Sequence, residues 1–124
     1  MKGRKSEKID SEKLATFVAE IAENKKAKAI KIFNVQSFTP IADYFVLCSA
    51  ESKPQLKAIM DSIAVEVKKK RKGEKSLVRF EGMIDSGWVI LDLGPVVVHI
   101  MDEELRSFYN LEELWGKAAI TYHV

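Results

Sequence analysis

Apolar residues recur at helical spacing in two parts of the chain, which predicts two amphipathic helices. The first begins at a cap on Asp10 or Ser11 and ends near Asn24. The second begins at Ser52, two residues before Pro54, and ends in a basic run. Their apolar stripes consist of Leu14, Phe17, Val18 and Ile21, and of Leu56, Ile59, Met60, Ile63 and Val67.

Five short apolar segments without helical spacing predict strands. They span residues 29–35, 44–49, 77–80, 88–93 and 96–101. The second is uncharged and typical of an interior strand buried on both faces. The last two are separated by Gly94-Pro95 and predict an antiparallel hairpin. Asp102 then predicts a cap for a short helix through Phe108, and residues 111–115 predict one or two more helical turns.

This order of elements predicts an α/β fold with one mixed, five-stranded sheet flanked by helices. The helix between the second and third strands allows one crossover connection. A chain of 124 residues has room for a single domain. We expect that domain over residues 10–116, a flexible basic tail over 1–9 and a C-terminal tail over 117–124.

Charge is distributed unevenly along a chain whose net charge is only +2. Residues 81–116 contain eight acidic side chains and one basic side chain, Arg106, whereas residues 1–80 carry a balance of +8. An acidic segment repels nucleic acid and favours a basic protein partner. The basic run 68–72 either solvates a helix end or contacts phosphates.

The chain has one cysteine, no apolar run long enough to span a bilayer, and no apolar stretch after its basic N-terminus. We therefore expect a soluble cytoplasmic protein.

Residues that could carry chemistry are scattered and lack the spacing of known sites. Cys48 lies in an uncharged strand, where a thiol is usually inert. His99 lies mid-strand, on the same sheet face as Val97 and Met101 by alternation. No glycine-rich phosphate loop occurs, and Asp92 has no second carboxylate in its strand. We expect no catalytic, cofactor or metal site.

Aromatic residues concentrate in the acidic segment. They are Trp88, Phe108, Tyr109 and Trp115. Exposed Trp and Tyr beside charged residues are typical anchors of protein contacts. Composition alone leaves open the alternative that all four belong to the core.

Several joint motifs in this chain resemble one known family. They are Asp43-Tyr44-Phe45-Val46, Ser52-x-x-Gln55, Glu81-Gly82, Trp88-Val89-Ile90-Leu91-Asp92, Val96-Val97-Val98-His99-Ile100 and Glu104-x-Arg106-x-x-Tyr109-x-Leu111-Glu112-x-Leu114-Trp115. Over residues 10–116 the chain resembles the ribosomal silencing factor family, RsfS, also called the Iojap-like family. Two turn positions differ from the common pattern, Pro95 and Ala50, and we expect them to alter local geometry but not the partner.

The resemblance implies a fold similar to nucleotidyltransferases but without their catalytic motif, and no enzymatic activity. It implies binding to the large ribosomal subunit through ribosomal protein number fourteen (uL14-type), which blocks subunit association and represses translation when nutrients are scarce. It leaves open a peripheral contact with ribosomal RNA, and a monomer or a homodimer. The partner-binding positions expected on this basis are Trp88, His99, Met101, Glu104, Arg106, Tyr109, Leu111, Glu112, Leu114 and Trp115.

Two other functions remain as alternatives. A minimal nucleotidyltransferase would bind nucleotide and Mg²⁺. A general RNA-binding module using residues 68–75 would bind with a steep salt dependence.

Overall fold

The computed structural model describes residues 10–70, 79–110, 113 and 119–123. The helices are α1 (Ser11–Asn24), α2 (Lys53–Lys70) and α3 (Glu103–Tyr109). The strands are β1 (Lys28–Asn34), β2 (Tyr44–Ala50), β3 (Arg79–Met83), β4 (Trp88–Asp92), β5 (Val96–Asp102) and β6 (Ala119–His123). The expected N-terminal tail and, apart from Glu113, the expected helical turns at 111–115 lie outside the described residues.

The strands form one mixed sheet in the order β3-β4-β5-β2-β1-β6. β2 and β5 pair in parallel at its centre, and every other described pair of neighbouring strands is antiparallel. The prediction of a mixed sheet flanked by helices is confirmed. The predicted number of strands is wrong, because residues 119–123, within the segment interpreted as a tail, pair with β1 as a sixth strand.

One face of the sheet is covered by α1 and α2. Both helices pack against the central strands and against each other. Fully buried side chains of the helices, such as Val18 and Ile63, share a core with Val46 on β2 and Ile100 on β5. Burial of apolar surface in this layer provides most of the driving force for folding.

Local hydrogen bonds fix where the helices begin. The Asp10 side chain accepts from the backbone amides of Glu12 and Lys13, which makes Asp10 the cap of α1. The Ser52 hydroxyl accepts from the amide of Gln55 at 3.2 Å, which confirms the predicted start of α2. None of the described helices is both long and apolar enough to cross a bilayer.

The connections around β4 follow the predicted hairpin with one shift. β4 and β5 are antiparallel, and Gly94 between them has a φ of +94°. The strand expected at 77–80 is described over Arg79–Met83, so it continues three residues past its expected end and the turn begins at Ile84. Residues 77 and 78 lie outside the described part of the chain.

Candidate functional site

The second face of the sheet, opposite α1 and α2, carries its own apolar cluster. Among the described elements, only α3 packs on this face, against β2 and β5 at one end of the sheet. We call this side of the sheet the second face. The buried members of its apolar cluster are Phe33, Val35, Ala42, Leu47, Val97 and Met101, and the partly buried members are Phe45, Trp88, Ile90 and Leu105.

Three rings meet in the second face. The indole Nε1–H of Trp88 donates a hydrogen bond to His99 Nδ1 at 3.3 Å, and the two ring centroids are 6.1 Å apart. Phe45 lies on β2, which flanks β5 on the other side, and it contacts the His99 ring edge to face, with ring centroids 5.4 Å apart. The contacts arise because β5 lies between β4 and β2, so His99 is flanked by a residue from each side.

His99 is a neutral imidazole in this setting. Burial among apolar side chains lowers the pKa of His99 from 6.5 to about 4, because the charged form loses its hydration. An indole N–H can only donate, so the proton of the neutral ring resides on Nε2 while Nδ1 accepts. His99 is therefore a hydrogen-bond acceptor inside an aromatic cluster at neutral pH.

Two side chains position helix α3 at the end of the sheet, one at its start and one in its middle. Asp102 caps it by accepting from the Leu105 amide at 2.8 Å, as the sequence predicts. Arg106 is only 6% exposed and donates from Nη1 to the Ser49 hydroxyl on β2 at 2.9 Å. Helix α3 ends at Asn110, whose left-handed φ of 47° lets its backbone amide donate to the Arg106 carbonyl.

Acidic side chains surround the start of α3. Glu103 and Glu104 are exposed, and both line a cleft of about 330 Å³ with Glu51 and Asp102. Lys28 forms an ion pair with Glu51 at 2.8 Å, and this contact raises the pKa of Lys28. Among the described residues, Lys53 is the one basic side chain in the lining, so the cleft is predominantly negative, and it adjoins the end of the sheet where α3 packs.

The structure brings together some of the ten predicted partner-binding residues. Trp88, His99 and Met101 share the second face, since Trp88 pairs with Met101 in register. Met101 and Arg106 are buried, so both support the surface from beneath. Glu104 is exposed in the first turn of α3, at the rim of this face. The Tyr109 side chain, and all of Leu111, Glu112, Leu114 and Trp115, lie outside the described residues.

The second face also contains residues that the sequence analysis did not select. Phe45 and Ile90 contribute partly buried side chains, and the loop from β1 to β2 joins the cluster through Val35 and Ala42. That loop exposes Phe38 and Ile41, which are 49% and 74% accessible. Alternation within residues 44–49 could have placed Phe45 opposite Val46, but only the parallel pairing with β5 puts it beside His99.

The described residues contain neither a reactive thiol nor a cluster of metal-binding side chains. Cys48 is fully buried, and burial raises the pKa of its thiol to about 12, so it stays protonated. No group of three or more His, Cys, Asp or Glu side chains is arranged to hold a metal ion within the ranges that the structure describes.

Comparisons with known proteins place the chain in one family. Residues 8–123 match the family model described as "Ribosomal silencing factor during starvation". The ribosomal silencing factor RsfS of Halalkalibacterium halodurans is 35% identical over 89% of this chain and 92% of that protein. The RsfS of Bacillus subtilis is 32% identical over 90% of this chain and 92% of its own length.

A solved structure agrees with these sequence matches. The crystal structure of a Chromobacterium violaceum protein superposes with a TM-score of 0.79 at 29% identity, covering 87% of this chain and 88% of the other. The resemblance identified from the sequence motifs is thereby confirmed: the chain belongs to the ribosomal silencing factor family, RsfS.

Proposed function

We propose that this protein binds the large ribosomal subunit through ribosomal protein number fourteen and sterically prevents the small subunit from joining. In this proposal it acts in the cytoplasm, represses translation when nutrients are scarce, and catalyses no reaction. Family membership supports a ribosome-associated role. The observation that carries the finer proposal is the second face, an aromatic surface with an acidic rim.

The chemistry of the second face suits a basic protein partner. Trp88, Phe45 and Ile90 are partly exposed and provide apolar contact area, and Trp is among the residues that most often dominate binding energy. Glu103 and Glu104 lie exposed at the adjoining end of the sheet. Ribosomal proteins contact RNA and are commonly basic, so an acidic rim would steer one toward this surface.

Steric exclusion needs no moving part in this protein. A rigid domain seated on the intersubunit surface occupies space that the other subunit requires. The hydrogen-bonded core of the second face, with Trp88 bonded to His99 and Arg106 bonded to Ser49, provides such a preformed surface. A preformed surface loses less conformational entropy on binding than a mobile one.

Sedimentation with purified subunits tests this proposal. The protein should co-migrate with the large subunit and not with the small one, and it should reduce the yield of joined ribosomes. Trp88→Ala should weaken large-subunit binding by about 1–3 kcal/mol, as truncation of a contact anchor does. Val65→Ala, which alters an exposed apolar residue on α2 that is 49% accessible, is the matched control and should bind like the parent.

Binding to both subunits alike, or unchanged binding by a folded Trp88→Ala protein, would contradict the proposed interface.

A nucleotidyltransferase would instead be stabilised by ATP or GTP with Mg²⁺ in a thermal shift experiment. We expect no shift, because the described charged residues that line the cleft beside α2 are four carboxylates and one lysine, Lys53, and their net negative charge would repel phosphates.

The basic run 68–72 is a second candidate surface in the same complex, through contact with ribosomal RNA. Two of its described lysines make local contacts, since Lys70 lies 4.6 Å from the Phe17 ring centroid and Lys69 pairs with Glu66 at 3.6 Å. We therefore propose that RNA contributes at most peripherally. A steep fall of affinity with salt that disappears on neutralising Lys68 and Lys69 would instead indicate direct phosphate contacts.

A further inference from the structure

We propose that His99 is a positioning residue for the contact surface: by accepting the indole N–H of Trp88, it fixes the orientation in which Trp88 is presented on the second face. The contact is a property of the folded chain by itself. Its consequence for subunit binding rests on the proposed function.

The geometry singles out this hydrogen bond. Trp88 is the first residue of β4 and is only partly buried, so the hydrogen bond adds to the restriction that packing places on its indole. His99 lies on the adjacent strand, two residues before Met101, which is the residue directly opposite Trp88. From this diagonal position its Nδ1 is 3.3 Å from Trp88 Nε1.

His99 is itself held in place on both sides. Phe45 packs edge to face against the imidazole from β2, with a centroid separation of 5.4 Å. The register pairs His99 directly with Leu47 on β2 and with Ile90 on β4. An acceptor that cannot rotate away can orient its donor, which is how a supporting residue locks a contact residue.

Charged residues share the second face with His99, and Asp92 occupies the diagonal position on the opposite side of Ile90 from Trp88. Alternation places Asp92 of β4 and Lys31 of β1 on this side of the sheet, and Arg106 of α3 donates to Ser49 on β2. On β3, the backbone register pairs Glu81 with Ile90. Within the described residues, the direct ring contacts of His99 are the aromatic side chains of Phe45 and Trp88.

This arrangement distinguishes two substitutions of His99. Asn offers a side-chain oxygen near the position of imidazole Nδ1, so His99→Asn retains an acceptor for the indole. His99→Leu has similar bulk and no acceptor, which leaves the indole N–H without this bond. A purely structural role for His99 would make the two variants differ only in stability.

The first experiment examines the isolated protein by NMR. At pH 7 the His99 ring should show the tautomer protonated at Nε2, and the Trp88 indole N–H signal, assigned with Trp88→Phe, should shift as His99 is titrated. The same indole signal should shift and exchange faster in His99→Leu but stay near its parent position in His99→Asn. A ring protonated at Nδ1, or an indole signal unaffected by His99→Leu, would overturn the proposal.

The second experiment measures binding to purified large subunits. His99→Leu should bind about fivefold more weakly than the parent, the effect of one ordinary hydrogen bond, and His99→Asn should recover most of that loss. In the Trp88→Phe background, which lacks the donor, the two His99 variants should bind equally. A His99→Leu defect that persists in this background would overturn the positioning role.

The two experiments separate the two proposals. If the parent protein does not bind large subunits, the proposed function fails while the NMR result still decides whether His99 orients Trp88. If the parent binds and folded His99→Leu binds equally well, the proposed function stands and the positioning role fails.

Discussion

Gly87 occupies a position where both the backbone and the space forbid a side chain. Its φ is +82°, and a Cβ built there would collide with the carboxylate of Asp102, the residue that caps α3. Its carbonyl also accepts from the Asp102 amide at 2.8 Å. A single glycine therefore sets how closely the turn before β4 approaches the start of α3.

We expect Gly87→Ala to lower the free energy of unfolding by about 2–3 kcal/mol, from the left-handed backbone and the displaced cap together. Gly94→Ala is the control, because Gly94 has a φ of +94° with open space around it, and it should cost only about 1–2 kcal/mol. Urea denaturation measures both. If the collision is the cause, Gly87→Ala in an Asp102→Ala background should cost only the backbone part, about 1–2 kcal/mol as for Gly94→Ala; full additivity would contradict it.

His99 makes stability depend on pH in a defined direction. Its pKa is lowered to about 4 in the folded protein, against 6.5 when exposed, so between these values the unfolded chain binds a proton that the folded one does not. Stability should fall as pH is lowered through this window, by at most about 3 kcal/mol, and His99 should add nothing above it. Urea denaturation at pH 7 and pH 4.5 should show a larger loss for the parent than for His99→Asn. Equal losses would show that other groups carry the acid sensitivity.

At the scale of elements, Gln55 joins the ends of two helices. Its Oε1 accepts from the Glu51 amide at 2.6 Å, while its Nε2 donates to the carbonyls of Lys25 and Lys26 at 3.2 and 2.9 Å. The side chain therefore satisfies backbone groups just before α2 and just after α1. The motif Ser52-x-x-Gln55, selected from the sequence, has a structural explanation in these contacts.

Gln55→Ala should lower the free energy of unfolding by about 1–3 kcal/mol, because three backbone groups lose their partner. Lys57→Ala, which removes only an exposed pair with Asp61, is the control on the same helix and should change stability by less than about 1 kcal/mol. Thermal or urea denaturation compares them. A Gln55→Ala effect no larger than that of Lys57→Ala would mean that solvent replaces these bonds without loss.

The elements that the sequence predicted well are those set by local signals. The cap at Asp10, the helix start at Ser52 and the hairpin around Gly94 each depend on residues within a few positions of one another. β6 was missed because five residues, even with β-favouring Ile, Thr and Tyr, carry no pattern of their own. They become a strand by pairing with β1, far away in the chain.

The candidate site was predictable only in part for the same reason. Trp88 and His99 could be selected from one hairpin, and alternation correctly placed His99 with Val97 and Met101. The role of Phe45 depends on which strand β2 adjoins, and the burial of Arg106 depends on where α3 packs. Neither follows from local sequence, because both are set by long-range pairing.

At the scale of the whole molecule, charge is arranged to favour one direction of approach. Glu103 and Glu104 are exposed beside the second face, whereas Lys68 and Lys69 are exposed at the end of α2. Reversing Glu103 and Glu104 to Lys should slow association with the large subunit several-fold at low salt, with little effect at high salt. Reversing Lys68 and Lys69 to Glu is the control and should not slow it. Stopped-flow measurement that finds equal association rates for both double variants would contradict steering.

The parallel pairing of β2 with β5 also constrains how the chain can fold during its own synthesis. Tyr44 pairs with Val96, so the central strand β2 pairs with a strand made 52 positions later, and β1 pairs with β6, which is made later still. The β1–β2 hairpin can form early, but both of its edges stay open until then. A growing chain therefore exposes two unpaired strand edges until β5 and β6 have been made, and unpaired edges favour association with other chains.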